Sequence, residues 1–379
     1  MLIRRTKPLA MLAALLSTST LPAQAETLQE ALAAAYRDNP TLTAARAGQR
    51  ATDENFNIQK ANGLPDVGVS STYNEFAHER PLNPLAPSRS LTTLLSVSVP
   101  VYSGGAVRNA LAGARERIEA GQYDLRATEL SIFSQVVAAY MDVIRAESVV
   151  GLSRNNVQVL EVNLRATNNR FQVGDLTRTD VAQSESRLSL ARADMQTAEA
   201  SLIEARERYI QLVGHEPVDL QTPPQLPGLP ATPDEAVDVA MAQNPDLLAA
   251  RNIREAAAYD VRVAKGQRLP TVSAFASGQH YTDLASRGGA NEAQDSGQVI
   301  VGARLSMPLY QGGRPGAQVR QSQAYQQQAM ETETAVERSV IAQTRSLYSS
   351  WQASNEVIAS NRVAVDASGL SLRGVRAEN

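Results

Sequence analysis

The chain repeats itself, and that repeat limits what it can fold into more than any other feature. Thr27 to Arg46 aligns without a gap on Thr232 to Arg251, a step of 205 residues, and ten of the twenty positions are identical. Asn39-Pro40 and Asn244-Pro245 are among the identities. The same step carries Leu64-Pro65 onto Leu269-Pro270, and a step of 208 carries Val99 to Gly105 onto Met307 to Gly313. The two steps differ by three residues, the size of one loop insertion. Residues 26–220 therefore read as a first repeat, 221–231 as a Pro-rich linker and 232–379 as a second repeat.

Each repeat has the same order of elements. A short helix begins at Thr27 or Thr232 and stops at Asn-Pro, because the residue before proline is disfavoured in the helical region. A longer helix runs on to Leu-Pro. The period then changes to two, over Val67 to Tyr73 and over Thr271 to Ser277, and again over Leu91 to Val101 and Gln298 to Leu309. In the last run Val299, Val301, Ala303, Leu305, Met307 and Leu309 share one face. Each repeat thus contributes one β-hairpin, with long polar connections expected around Ala77 to Ser90 and Thr282 to Gly297. Four strands in two distant pairs are too few for a soluble sandwich, which favours membrane strands.

From Val107 to Phe171 there is no proline, and apolar or small residues recur in steps of four and three from Ile132 to Phe171. Val181 to Leu212 continues the pattern, so the two segments read as an antiparallel coiled coil. The turn between them is Val173, Gly174, Asp175, Leu176, Thr177, Arg178, Thr179 and Asp180. Gly174 suits the left-handed end of one helix, Thr177 or Thr179 can cap the next, and Asp180 suits its positive end.

Composition fixes the compartment and excludes much chemistry. Arg4, Arg5 and Lys7 precede the apolar run Leu9 to Leu16 and the small-residue site at Ala25, which reads as a secretory signal peptide over 1–25. Without it, 33 basic residues face 39 acidic ones, and nothing points to nucleic acid. There is no cysteine, so neither a disulfide framework nor a lipid-modified cysteine is available. No nucleophile, phosphate-loop or dinucleotide motif is present, and His78, His215 and His280 read as loop or surface histidines. No enzyme activity and no cofactor or metal is expected.

Three features together carry a resemblance to the TolC family of outer-membrane factors. They are the duplicated Glu-Ala, Asn-Pro, Ala-Ala-Arg opening, the paired Pro-x-Tyr-x-Gly-Gly strand exits, and the Val173 to Val181 turn. The fold class is accordingly mainly α with β, a duplicated unit of long coiled-coil helices plus one hairpin each. The resemblance implies a homotrimer sharing a twelve-stranded outer-membrane barrel continued by a periplasmic α-helical barrel. It implies a passive exit duct, in contact with outer-membrane lipid, energised by an inner-membrane transporter through a periplasmic adaptor protein. Tyr102, Gly104 and Gly105, with Tyr310, Gly312 and Gly313, then mark the strand-to-helix transitions, where tyrosine suits a membrane interface. Val173, Gly174, Asp175, Leu176, Thr177 and Arg178 become the periplasmic tip that meets the adaptor, and Asp180 a residue that helps hold the entrance shut. Arg165 aligns with Arg373, so Asn379 corresponds to Phe171, and the returning helix of the second repeat is expected to be missing. The competing reading is a periplasmic coiled-coil adaptor or scaffold that never enters the membrane.

Overall fold

The computed structural model describes residues 25–75, 87–224, 227–286 and 295–378. Residues 1–24 of the segment read as a signal peptide, His78 and most of both hairpin connections lie outside the described residues. Its elements are α1 (Leu28–Asp38), α2 (Pro40–Ala61), β1 (Asp66–Glu75), β2 (Pro87–Tyr102), α3 (Ala106–Gln172) and α4 (Arg178–Val213). The same order then recurs as α5 (Pro233–Gln243), α6 (Pro245–Gly266), β3 (Thr271–Ser286), β4 (Asp295–Ser306) and α7 (Arg314–Glu378).

The duplicated landmarks become duplicated stops. Thr27 and Thr232 each cap a helix through the side chain, accepting from the N–H of Glu30 and Glu235. Asn39 and Asn244 leave the helical conformation with ψ of 123° and 121°, as a following proline requires. Asn244 also starts the next helix, its side-chain oxygen accepting from the Leu247 N–H at 3.1 Å. At 67 residues and about 1.5 Å per residue, α3 is ~100 Å long. A single stripe on so long a helix cannot be buried in one globular core.

Contacts divide the chain into two compact units, Met1–Asn39 with Ile132–Gln225, and Pro40–Ser131 with Leu226–Asn379. The division differs from the sequence duplication because α3 runs through both. In the first unit the expected seam is the core. Val136, Ala139 and Val143 on α3 are fully buried, and Leu188, Ala191 and Ala198 on α4 nearly so. Val157 packs with Leu188 and Ala191, flanked by Leu160, Leu164 and Met195. Burial fades toward the turn, where Phe171 is 42% exposed and the Ser184 to Thr167 hydroxyl contact at 3.3 Å replaces apolar packing.

Glu26, 8% exposed, ties this unit together. Its N–H donates to the Val218 carbonyl at 3.1 Å and its carbonyl accepts from the Gln221 N–H at 3.0 Å. The Tyr140 hydroxyl donates to the same carbonyl at 2.8 Å, and the Tyr209 hydroxyl to the Glu26 carboxylate at 2.6 Å. Burial and the neighbouring Glu26 carboxylate push the Tyr209 hydroxyl well above its ordinary pKa, so it stays a donor. The sequence pattern places Tyr209 within the stripe from Val181 to Leu212 and gives Tyr140 no position in either stripe.

In the second unit, α2 and α3 are joined by Arg46 and Glu129 at 3.8 Å and by Gln49 donating to the Ile118 carbonyl at 3.2 Å. Arg254 meets Glu333 at 2.6 Å between α6 and α7. The strands form one antiparallel sheet in the order β1-β2-β3-β4, so the two hairpins lie side by side with β2 against β3. Four strand ends differ from the sequence expectation by three residues or more. β2 already begins at Pro87, β3 continues to Ser286 with β4 resuming at Asp295, and β4 stops at Ser306 instead of Leu309. α7 begins at Arg314, with Pro315 in its first turn, where a missing N–H costs nothing.

Replacing Tyr209 by phenylalanine removes a hydrogen bond to a carboxylate whose side chain is only 10% exposed. The expected loss is about 1.5–3 kcal/mol of stability, read by chemical denaturation of the detergent-solubilised protein. The same change at Tyr348, whose hydroxyl donates to the exposed Ala231 carbonyl, is expected to cost less.

Candidate functional site

Three places hold the residues singled out in the sequence: the two faces of the sheet, the strand-to-helix turns, and the α3–α4 tip. Alternation along each strand, combined with the register, sorts the sheet into faces. One face carries Val67 and Val69 of β1, Leu95, Val97 and Val99 of β2, Ala274 and Ala276 of β3, and Val299, Val301 and Leu305 of β4. Val69, Val299 and Val301 are 73%, 80% and 77% exposed, so nothing among the described residues covers this face there. The opposite face is lined by Ser70, Thr72, Thr92, Ser96, Ser98, Ser273, Ser277, Gln279 and Gln298, with Phe275 set against Gly302 beneath the Arg304 guanidinium. The charged residues of the apolar face, Glu75, Arg89 and Asp295, gather with His280 at the end next to the hairpin connections.

Such a sheet has water on one side and an apolar medium on the other. Its strands of 10, 16, 16 and 12 residues reach or exceed the roughly 9–11 needed to cross a bilayer when tilted. No helix of the described residues is long and apolar enough to cross a membrane. His280 stands 4.0 Å from Asp295 across the second hairpin, and no group of described side chains is arranged to hold a metal ion.

The strand exits are the same turn made twice. Gly104 and Gly105 have φ of 61° and 77°, and Gly312 and Gly313 have 59° and 78°. These left-handed values, which glycine adopts without steric cost, turn each strand into its long helix. The Ala106 N–H donates to the Ser103 carbonyl and the Arg314 N–H to the Gln311 carbonyl; the Asn109 and Ala317 N–H groups donate to Gly105 and Gly313. Tyr102 is 48% exposed at the end of β2, while Tyr310 lies beyond β4 and is 88% exposed.

At the tip, the N–H groups of Gly174 and Asp175 donate to the carbonyls of Phe171 and Arg170, the paired bonds that end a helix at a left-handed glycine with φ of 85°. Arg170 also holds the Asp175 carboxylate at 2.7 Å. Of the two threonines offered by the sequence, Thr177 is the cap. Its hydroxyl donates to Asp180 at 2.7 Å and its N–H donates to the same oxygen at 2.9 Å. These two bonds, the hydroxyl first, hold the Asp180 carboxyl below the usual carboxylate range. Val173 is 79% exposed and Arg178 is exposed, so the tip presents apolar and cationic groups on a rigid turn.

Sequence reasoning missed the hydroxyl anchors. Tyr140 donates to Glu26 and Tyr348 to Ala231, and the two tyrosines stand 208 residues apart as their partners stand 205 apart. The offset itself was the signal that could have found them.

A sheet wetted on one face and apolar on the other, leading into helices of this length, defines an outer-membrane duct protein. Residues 28–215 and 236–377 match the family described as outer membrane efflux protein, and the chain belongs to that family. It is 34% identical over 373 residues to outer membrane efflux protein BepC of Brucella suis, covering 97% of this chain and 80% of that one. It is 27% identical to outer membrane protein TolC of Escherichia coli, over 93% of this chain and 73% of that one. The crystal structure of CusC superposes with a TM-score of 0.76 at 15% identity, over 92% of this chain and 81% of that chain. The family is one of outer-membrane channels, so the protein is an outer membrane efflux protein. The scaffold reading, in which the chain never enters the membrane, is thereby overturned.

Thr177→Ala removes one side of the cap. Amide exchange over Arg178 to Val181 is expected to rise about fivefold, the effect of losing a typical helix cap. Because the Asp180 carboxyl titrates below its ordinary range, the cap is complete above that range and is lost only as pH falls through the lowered value. The protection factor, which is exchange corrected for its intrinsic pH dependence, is therefore expected to hold above the ordinary carboxylate range and to fall as pH drops from there toward the lowered value.

Proposed function

We propose that three copies of the chain close one barrel in the outer membrane and form a passive duct, energised by an inner-membrane transporter through a periplasmic adaptor. The sheet, whose two outer edges find no strand to pair with among the described residues, carries this reading. In hydrocarbon every backbone N–H and C=O must be paired, and each one left open costs several kcal/mol. Four strands cannot close a barrel, the smallest having about eight, so copies must join edge to edge. The Val and Leu face meets lipid, and the Ser, Thr and Gln face lines the water column.

The tip from Val173 to Arg178 meets the adaptor, offering exposed Val173 and the cation of Arg178 on a backbone fixed by Gly174 and Thr177. Asp180 serves closure by fixing the start of α4; its carboxylate is already engaged by Thr177, which makes it a positioning residue at the entrance. A water-filled duct imposes little chemistry on what passes, so selectivity belongs to the transporter.

Two measurements test this reading. Crosslinking in outer-membrane vesicles is expected to give a discrete trimer, and a monomer at every concentration would count against the duct. Val301→Arg, on the lipid face, is expected to weaken membrane assembly by about 2–4 kcal/mol, whereas Thr72→Arg on the opposite face is tolerated. Equal losses from both would show that the faces are wrongly assigned.

A further inference from the structure

Burial leaves Glu26 with an unbalanced charge. Its carboxylate accepts from the Tyr209 hydroxyl at 2.6 Å and from the Val218 N–H at 3.5 Å, and both donors are neutral. Among the described residues the one basic group within 4.0 Å is His215, whose Nε2 stands 3.5 Å from the same carboxylate. The His215 Nδ1 lies 3.0 Å from the Glu216 carbonyl, which can only accept, so Nδ1 carries the proton and the neutral ring turns a bare Nε2 toward Glu26. The other ionisable groups around the seat are Glu30 and Asp38 on α1, Tyr140 on α3, Tyr209 on α4, and Glu216 and Asp219 in the loop after it, all acids or phenols. Arg37, the cation of α1, is exposed and paired with Asp38. A buried charge without a counterion costs far more than a paired one.

A cation is one covalent step away. The segment read as a leader ends at Ala25, and hydrolysis of the Ala25–Glu26 bond by a signal peptidase adds one water, leaving a carboxylate on Ala25 and an ammonium on Glu26. We propose that this ammonium is the counterion of the buried Glu26 carboxylate, so that removal of the leader completes the seat that ties the first unit together.

Val218 brings the two charges together. Its carbonyl accepts from the Glu26 nitrogen at 3.1 Å while its N–H donates to the Glu26 carboxylate, so the nitrogen and the carboxylate of residue 26 converge on one residue. The Gln221 N–H and the Tyr140 hydroxyl hold the Glu26 carbonyl at the same time, which fixes the backbone between them. In the unfolded chain water screens the same two charges, and in the seat burial removes that screen. The second repeat supplies the contrast. A step of 205 residues from Glu26 leads to Ala231, which lies within the chain, keeps a tyrosine hydroxyl on its carbonyl and carries no charge.

The test titrates the amine itself. After Ala25 the chain has two lysines, Lys60 and Lys265, so acylation of the N-terminal amine is followed by peptide mass against little background. Full-length mature protein, solubilised from outer membranes, is labelled from about pH 6 to about pH 10, beside a form whose cleavage site is moved upstream so that Ala23, Gln24 and Ala25 stay attached. The midpoint is read, because burial alone slows the reaction without raising the midpoint. A chain-terminal amine in water titrates at about 7.7–8.0. The extended form is expected to show that value, the mature form a value about one unit higher, and Glu26→Gln, which keeps the shape and removes the charge, no rise. An amine raised in this way adds stability that is complete below about pH 8 and is lost as pH rises through the folded value. A mature amine that titrates with the extended one overturns the proposal, as does an equal rise in Glu26→Gln or a mature chain that begins at another residue. Where Glu26→Gln does not assemble, the mature and extended forms decide between them.

Discussion

The backbone of a strand at the edge of a sheet has one row of N–H and C=O groups with nowhere to point, and in hydrocarbon that row cannot be left open. Much else in this protein answers that constraint. The alternation of Val and Leu with Ser and Thr matters only because the sheet has a wet side and an apolar side. The left-handed glycines at 104, 105, 312 and 313 let each strand leave the sheet and become a helix within a few residues. The long helices then bury their stripe against one another, as Val157 does against Leu188 and Ala191, because the sheet has no core to offer them.

How much was legible follows from what each signal depends on. Helix stops at Asn39 and Asn244 were plain, since proline acts on its neighbour whatever the fold. The seam from Ile132 to Leu164 was plain because its period persists over many turns, and the Thr177 cap was one of two threonines offered. The strand ends were not legible. Arg89, Ser90, Gln279 and Thr282 are polar on both faces near the connections, so hydropathy shows no alternation there, and the strands run further than the pattern. The end of β4 departs the other way: Met307 to Leu309 continues the apolar pattern, but among the described residues no strand pairs with its outer edge. The hydroxyl network around Glu26 was invisible because it depends on which tyrosines meet a backbone far away in sequence.

The two halves share a plan but not their side chains. Arg117 on α3 is paired with Asp260 on α6 inside the chain, and the residues at the corresponding steps are Tyr325 and Asn55, both uncharged. Glu26, with its buried carboxylate, corresponds to Ala231, which keeps only the backbone half of the tyrosine anchor. Repetition supplies the architecture, and these departures give each half a neighbour that the other half cannot replace.

The inner seam also has a consequence for the order of events. Tyr73 meets a residue only 18 positions along the chain, Leu91, whereas Leu91 meets Thr282 across α3, α4, α5 and α6, a separation of 191 residues. Closing a hairpin takes microseconds, whereas contacts so distant in sequence are slow to form. A chain whose hairpins close before this seam forms carries two separate hairpins with four bare edges, twice as many as the sheet of the described residues exposes. Such edges invite pairing with the wrong chain. The most hazardous moment in the life of this protein falls before it reaches the membrane, while its apolar face is still in water.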